Sequence, residues 1–98
     1  MNMQALMKQA QNLQKDMLKT KEEIDSTTFE GESSIVKVVV NGKKEVLNIK
    51  IDGDSIEKED IEMLQDMIVV AINQAFKKVD DYTEQKMAKY GNMMPGLF

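Results

Sequence analysis

The segment from Ile61 to Val79 constrains the fold most strongly, because its apolar residues recur at spacings of three and four. This period is that of an α-helix with one buried face. The residues concerned are Ile61, Leu64, Ile68, Ile72, Ala75 and Val79. In the middle of the segment, residues 67–72 are apolar on every side, which a surface helix of a small monomer does not need. We therefore expect a sheet to cover one side of this helix and a second copy of the chain to cover the other.

The residue types in the chain limit the chemistry it can perform. Its 98 residues make one domain that buries only a modest part of its surface alone, so dimerisation is an ordinary way to gain stability. The absence of Cys and His excludes disulfides, thiolate chemistry, imidazole acid–base catalysis and most zinc sites. The acidic residues have no nucleophile or base partner in the pattern, so we expect neither an enzyme nor a cofactor. All 13 basic residues are Lys, so any nucleic-acid contact would use point charges and not the forked guanidinium of Arg.

The chain shows neither a secretory leader pattern nor an apolar run that approaches ~18 residues. We therefore expect a cytoplasmic protein with no membrane partner. The net charge of −4 by itself disfavours a polyanion as a partner. The charge alternates along the chain, however. Residues 1–21 carry four Lys and one Asp, whereas residues 51–66 carry seven acids and one Lys.

The acidic cluster between Asp52 and Glu62 resembles a calcium loop only superficially. In a loop that began at Asp52, position five would be Ile56 and position twelve would be Met63, where an oxygen ligand and Glu are needed. Acidic residues in a first helical turn interact favourably with the helix dipole instead. We expect no metal site here.

A seven-residue apolar repeat from Met3 to Ile24 predicts a helix over residues 3–25, with a narrow stripe suited to pairing with another helix. The stripe comprises Met3, Leu6, Ala10, Leu13, Met17, Thr20 and Ile24. Lys8, Lys15 and Lys19 point within about 40° of one another on the opposite face. Two interpretations of these lysines stay open: a solvated face that keeps the helix soluble, or a surface that contacts phosphates.

Residues 27–52 predict three antiparallel strands. The first run is broken at Gly31, and the second, residues 35–40, is β-branched except for Lys37. Asn41-Gly42 follows, which is the strongest short-range hairpin signal in a sequence, and residues 46–51 form the returning strand. We expect one face of the returning strand to be buried against the second strand, and its members are Leu47, Ile49 and Ile51.

A second helix is predicted over residues 58–90 and stops at Gly91. At ~48 Å it is longer than a three-stranded sheet can cover. Its distal part is also the least apolar, so we expect that part to project from the sheet. Residues 91–98 are expected to form a flexible tail.

With these elements in this order, the sequence resembles the YbaB/EbfC family of bacterial nucleoid-associated proteins. The resemblance rests on Leu6-Met7-Lys8-Gln9-Ala10-Gln11, Met17, Gly31-Glu32, residues 36–42, Ile49-Lys50-Ile51-Asp52, residues 62–66, residues 71–75, Lys86-Met87 and Pro95-Gly96-Leu97-Phe98. It spans essentially the whole chain and implies a single α+β domain over residues 1–98. It further implies an intertwined homodimer with projecting helical arms, located at the nucleoid, that binds DNA and has no catalytic activity.

Two functional hypotheses follow. In the first, helical arms of a homodimer straddle double-stranded DNA and place lysines against its phosphates. The proposed DNA contacts are Lys8, Lys15, Lys19, Lys78, Lys86 and Lys89, and the proposed dimer contacts are Ile68, Val69, Val70, Ile72 and Phe76. In the second, the Met-rich apolar stripe of the first helix receives a partner helix, and the protein is an interaction scaffold.

Overall fold

The computed structural model describes residues 2–91 and confirms the predicted order of elements: a helix, three antiparallel strands and a long helix. The elements are α1 (Met3–Ser26), β1 (Thr28–Ser33), β2 (Val36–Asn41), β3 (Val46–Ile51) and α2 (Ile61–Gly91), with a short 3₁₀ turn at Lys58–Asp60 just before α2. The strands form one sheet in the order β1-β2-β3. The molecule is elongated, with extents of 72 × 20 × 13 Å. Gly91 is the last residue of α2. The predicted flexible tail after it lies outside the described residues.

The core lies between α2 and the sheet. Alternate residues of β2 point to α2, in keeping with the two-residue period of a strand. The fully buried members are Val36, Val38 and Val40 from β2 and Ala71, Ala75 and Val79 from α2. Small residues on α2 allow a close approach to β1, where Gly31 faces the helix backbone. A Cβ at Gly31 would overlap the carbonyl oxygen of Ala71 and lie 2.9 Å from the amide nitrogen of Ala75.

The predicted burial of β3 is wrong for the single chain. Leu47, Ile49 and Ile51 are all exposed, at 54%, 41% and 38%. The physical reason is the width of α2, which packs across β1 and β2 and leaves β3 as an uncovered edge. The composition of the predicted face also changes. A register shift between Val39 and Val40 places Val46, and not Leu47, opposite Val40.

The hairpin at Asn41-Gly42 forms, but Gly42 serves a different purpose from the one its turn signal indicates. The left-handed residue of the loop is Lys44, with φ of 62°. Asn41 Oδ1 accepts hydrogen bonds from the backbone amides of Lys43 and Glu45, both at 3.0 Å. Gly42 instead packs against the end of α1, where a Cβ would overlap the carbonyl oxygen of Ile24. The loop is therefore fixed to α1 by close packing as well as by its own turn.

The distal part of α2 leaves the sheet, as predicted, but it does not project alone. Tyr90 is 1% exposed, and its hydroxyl lies 3.2 Å from the Thr20 hydroxyl of α1. The Tyr90 hydroxyl also donates a short hydrogen bond to Asp16. The end of α2 and the C-terminal half of α1 thus form an antiparallel pair, and the N-terminal half of α1 extends beyond it.

Candidate nucleic-acid interface

The first part of the site is the outer face of α1, which carries Lys8, Lys15 and Lys19. The helix begins at a side-chain cap in which Asn2 Oδ1 accepts a 3.0 Å hydrogen bond from the Gln4 amide. It ends where the Thr27 hydroxyl donates to the Glu23 carbonyl at 2.6 Å. Between these ends, the three lysines are exposed, and none of them forms a salt bridge to another described residue. Their charges are therefore available to an external anion.

Asp16 and Tyr90 organise the electrostatics beside this face. The Tyr90 hydroxyl, together with the ammonium groups of Lys89 and Lys19, holds the pKa of the Asp16 carboxyl below its usual value, against a smaller opposing effect of desolvation. Lys89 Nζ lies 3.5 Å from Asp16 Oδ2 and 5.0 Å from the centre of the Tyr90 ring. The Tyr90 hydroxyl and then the Asp16 carboxylate raise the pKa of Lys89. The structure therefore places the ammonium groups of Lys19 and Lys89 near the carboxylate of Asp16, which lies between Lys15 and Lys19 in the sequence of α1.

The other two predicted lysines have different surroundings. Lys86 Nζ lies over the Tyr82 ring, 5.5 Å from its centre. Lys78 donates a 2.7 Å hydrogen bond to the carbonyl oxygen of Glu30 in β1. Lys78 is thus part of the contact between α2 and the sheet, and the structure does not group it with the lysines of α1.

Sequence reasoning missed the roles of Asp16 and Tyr90. Tyr90 is separated from Asp16 by 74 residues, and no local pattern connects them. The one signal in the sequence is Thr20, a polar residue at a position of the apolar stripe where a hydrogen-bonding partner would be needed. In the structure Tyr90 supplies that partner.

A second surface, which we term the β3 flank, is apolar and only partly covered within the single chain. One side of α2 binds β1, since Gln74 accepts a 2.7 Å hydrogen bond from the Glu32 amide and Lys78 donates to Glu30. The opposite side of α2 therefore lies toward the β3 edge of the sheet, beyond the part of the sheet that the helix covers. The β3 flank consists of Val69, Ile72 and Phe76 from α2 and Val46, Ile49 and Ile51 from β3.

The five residues predicted to form a dimer interface divide into two groups in the single chain. Ile68, Ile72 and Phe76 are half-buried and pack against the core. Val69 and Val70 are 56% and 52% exposed. The part of α2 that is apolar on every side is therefore covered on only one side within a single chain.

Two open clefts lie at the end of the sheet that holds the turn between β1 and β2. One has a volume of about 360 Å³ and is lined by Glu32, Lys37, Lys50 and Asp52, among others. The other, of about 300 Å³, is lined mainly by apolar residues such as Ile35, Ile56 and Met63. Neither contains any of the six lysines. Within residues 2–91, no group of three acidic side chains is placed to hold a metal ion, and no helix is long and apolar enough to cross a membrane.

Comparisons with known proteins agree with the resemblance seen in the sequence. A model of the YbaB/EbfC DNA-binding family matches residues 1–94. A nucleoid-associated protein of Pelotomaculum thermopropionicum is 46% identical over 101 residues, which cover 99% of this chain and 96% of that protein. A nucleoid-associated protein of Ligilactobacillus salivarius is 42% identical, with 99% and 95% covered. The crystal structure of an uncharacterised Helicobacter pylori protein superposes with a TM-score of 0.71 at 26% identity, covering 87% of this chain and 91% of the other.

Proposed function

The chain belongs to the YbaB/EbfC DNA-binding family, and on this basis we propose that it binds double-stranded DNA as a homodimer through lysine–phosphate contacts from its helical arms. The relatives named above are nucleoid-associated proteins. We propose the same location for this chain, with a role in nucleoid organisation or gene regulation.

One observation carries the proposal: the lysine face of α1 is free of internal ion pairs. Five of the other lysines pair with carboxylates of the chain, at 4.0 Å for Lys21 and Asp25, 3.1 Å for Lys37 and Glu32, 2.6 Å for Lys44 and Asp80, 3.2 Å for Lys77 and Asp81, and 3.5 Å for Lys89 and Asp16. Lys8, Lys15 and Lys19 have no such neighbour within hydrogen-bonding distance among residues 2–91. A lysine that is already paired gains less from a phosphate, because the pair must first be broken.

The net charge of −4 by itself disfavours DNA as a partner, but the charges are unevenly distributed along the chain. Residues 1–21 hold four Lys and one Asp, and the Asp is engaged by Tyr90 and Lys89. The densest acidic stretch, residues 51–66, lies at the start of α2 and in the segment before it. A duplex that approaches the arms meets a local positive potential, although two chains together carry twice −4, or −8.

The β3 flank supports the homodimer part of the proposal. An exposed apolar surface that combines one side of a helix with a sheet edge is typical of an interface between two copies of a small chain. An exposed strand edge also needs covering, because its unpaired backbone groups otherwise invite uncontrolled association. Pairing two copies there would hold two α1 arms at a fixed separation.

The test replaces the three lysines of the α1 face together, as Lys8→Gln, Lys15→Gln and Lys19→Gln, and measures affinity for two unrelated duplexes. Because the dimer would give up as many as about six lysine–phosphate pairs, we expect affinity to fall at least about tenfold and equally on both duplexes. The control variant makes the same charge change on the body of the protein with Lys37→Gln, Lys50→Gln and Lys58→Gln, and we expect it to bind as the parent does.

Equal losses of affinity in the two triple variants would show that net charge, and not the α1 face, governs binding. A loss on only one duplex would contradict the proposed phosphate contacts, since these read no sequence.

A further inference from the structure

The N-terminal half of α1 carries an uncovered apolar stripe that the proposed DNA contacts do not use. Its members, which we term the α1 stripe, are Met3, Leu6, Ala10 and Leu13, of which the first three are exposed and Leu13, at the inner end, is half-buried. They continue the spacing of Met17, Thr20 and Ile24, which α2 and the sheet cover. The exposed fraction rises along this line from 4% at Ile24 to 47% at Leu6 and 73% at Met3.

The end of α2 is directed along this stripe. Asp80 pairs with Lys44 in the β2–β3 loop, and Gly42 of that loop abuts Ile24 of α1. About three turns later, Tyr90 contacts Thr20 and Asp16. The two helices therefore run antiparallel, so that α2 extends toward the N-terminus of α1. Gly91 ends the helix at the level where the α1 stripe begins.

The chain that follows has the length and composition to cover the stripe. Residues 92–98 read Asn-Met-Met-Pro-Gly-Leu-Phe and contain no charged side chain. Seven extended residues reach about 23 Å. The distance from Asp16 to Met3 along a helix is about 20 Å. Pro95 also disfavours a continued helix, so an extended path is the one that fits.

We propose that the C-terminal segment, residues 92–98, docks in extended form along the α1 stripe of its own chain. The segment is tethered at the stripe, which makes its effective concentration there far higher than that of a separate protein. The contact would stiffen the arm on the side opposite Lys8 and Lys15 and leave the lysine face open. This inference goes beyond the proposed function and does not depend on DNA binding.

The test uses Phe98→Trp as the single tryptophan in the full chain, which has no Trp of its own, and excites the indole selectively over the two Tyr. The reference is a free peptide of residues 91–98 with the same substitution. If most molecules hold the segment docked, iodide should quench the indole of the protein at no more than about one third of the rate seen in the peptide. A quenching rate equal to that of the peptide would overturn the proposal and leave the stripe for a separate partner helix.

A matched pair of second substitutions tests the place of docking. Leu6→Ser lies on the stripe, whereas Leu18→Ser, at a leucine that is 57% exposed, lies about 120° around the helix. We expect Leu6→Ser to raise quenching to the level of the peptide and Leu18→Ser to leave it unchanged. Both leucines are exposed, so circular dichroism should show that both variants fold. Equal effects of the two substitutions would contradict the assignment.

Mixing distinguishes docking within a chain from docking on a second copy. The chain with Phe98→Trp and Leu6→Ser is mixed with an excess of the parental chain and allowed to exchange partners. The indole should stay as accessible as in the peptide, since its own stripe is damaged. Renewed protection would show that the segment binds the stripe of the second copy, which would overturn the own-chain assignment.

Discussion

Gly31→Ala is expected to destabilise the fold, because Gly31 sits where β1 meets the backbone of α2. The new Cβ would overlap the Ala71 carbonyl oxygen and lie 2.9 Å from both the Ala71 carbonyl carbon and the Ala75 amide nitrogen. Ordinary contacts begin at 3.4 Å, so the helix must move away by more than about an ångström to clear the Ala71 carbonyl oxygen. The obstacles are backbone atoms that no rotamer change can remove. The core valines of the neighbouring strand β2, among them Val38 opposite Gly31, would then pack less closely on α2.

The magnitude follows from two opposing effects. Overpacking of a core costs about 1–3 kcal/mol, and a backbone obstacle places this site toward the upper end. Ala is less flexible than Gly in the unfolded chain, which stabilises the folded state by about 0.4–1 kcal/mol. We expect a net loss of about 2 kcal/mol in the free energy of unfolding, which corresponds to a fall of about 8–16 °C in Tm for a domain of this size.

Thermal and urea unfolding at one fixed protein concentration measure this loss, with Gly53→Ala as the matched control. At Gly53 the nearest atoms to a new Cβ are flexible side-chain ends, Ile35 Cδ1 at 3.3 Å and Ile56 Cγ1 at 3.6 Å. The control should therefore change the stability by no more than about 0.5 kcal/mol. If Gly31→Ala were as stable as Gly53→Ala, the close approach of β1 and α2 would be refuted.

Three further predictions concern the dimer, the arm and its charge. Val69→Asp should lower the mass measured by light scattering toward that of one chain, because it places a carboxylate in the β3 flank, whereas Met63→Asp, on another side of α2, should not. Asn2→Ala should cost about 1 kcal/mol of local stability and speed amide exchange in the first turn of α1, while exchange in α2 stays unchanged. Asp16→Asn should lower Tm at neutral pH, and this difference from the parent should vanish in acid. The folded-state pKa of Asp16 is lowered, so its stabilisation is complete above the ordinary value of 3.8 and is lost as the pH falls through the folded value. A difference that persisted at a pH of about 2 would count against this role of the carboxylate.

Much of the fold could be predicted because its determinants are local. The apolar period of residues 61–79 and the alternation in residues 36–40 each specify an element within a few turns or residues. The grouping of Lys8, Lys15 and Lys19 also follows from helical geometry alone, and the structure leaves these three exposed as one face.

The features that sequence reasoning missed depend on contacts between distant segments. Whether β3 is covered depends on how many strands one helix can span, and the apolar pattern of the strand does not report this. The contact of Tyr90 with Asp16 and the packing of Gly42 against Ile24 arise only when α1 and α2 are placed together. The same is true of Lys78, whose bond to Glu30 joins residues 48 apart.

The central claim is that the α1 lysine faces of a homodimer bind DNA phosphates, and the salt dependence of affinity for a duplex tests it most directly. If six lysines, three from each chain, each neutralise one phosphate, the logarithm of the association constant should fall against the logarithm of salt concentration with a slope of about −5. The variant with Lys8→Gln, Lys15→Gln and Lys19→Gln should show a slope close to zero. A parental slope shallower than about −1, or the same steep slope in the variant, would contradict the account.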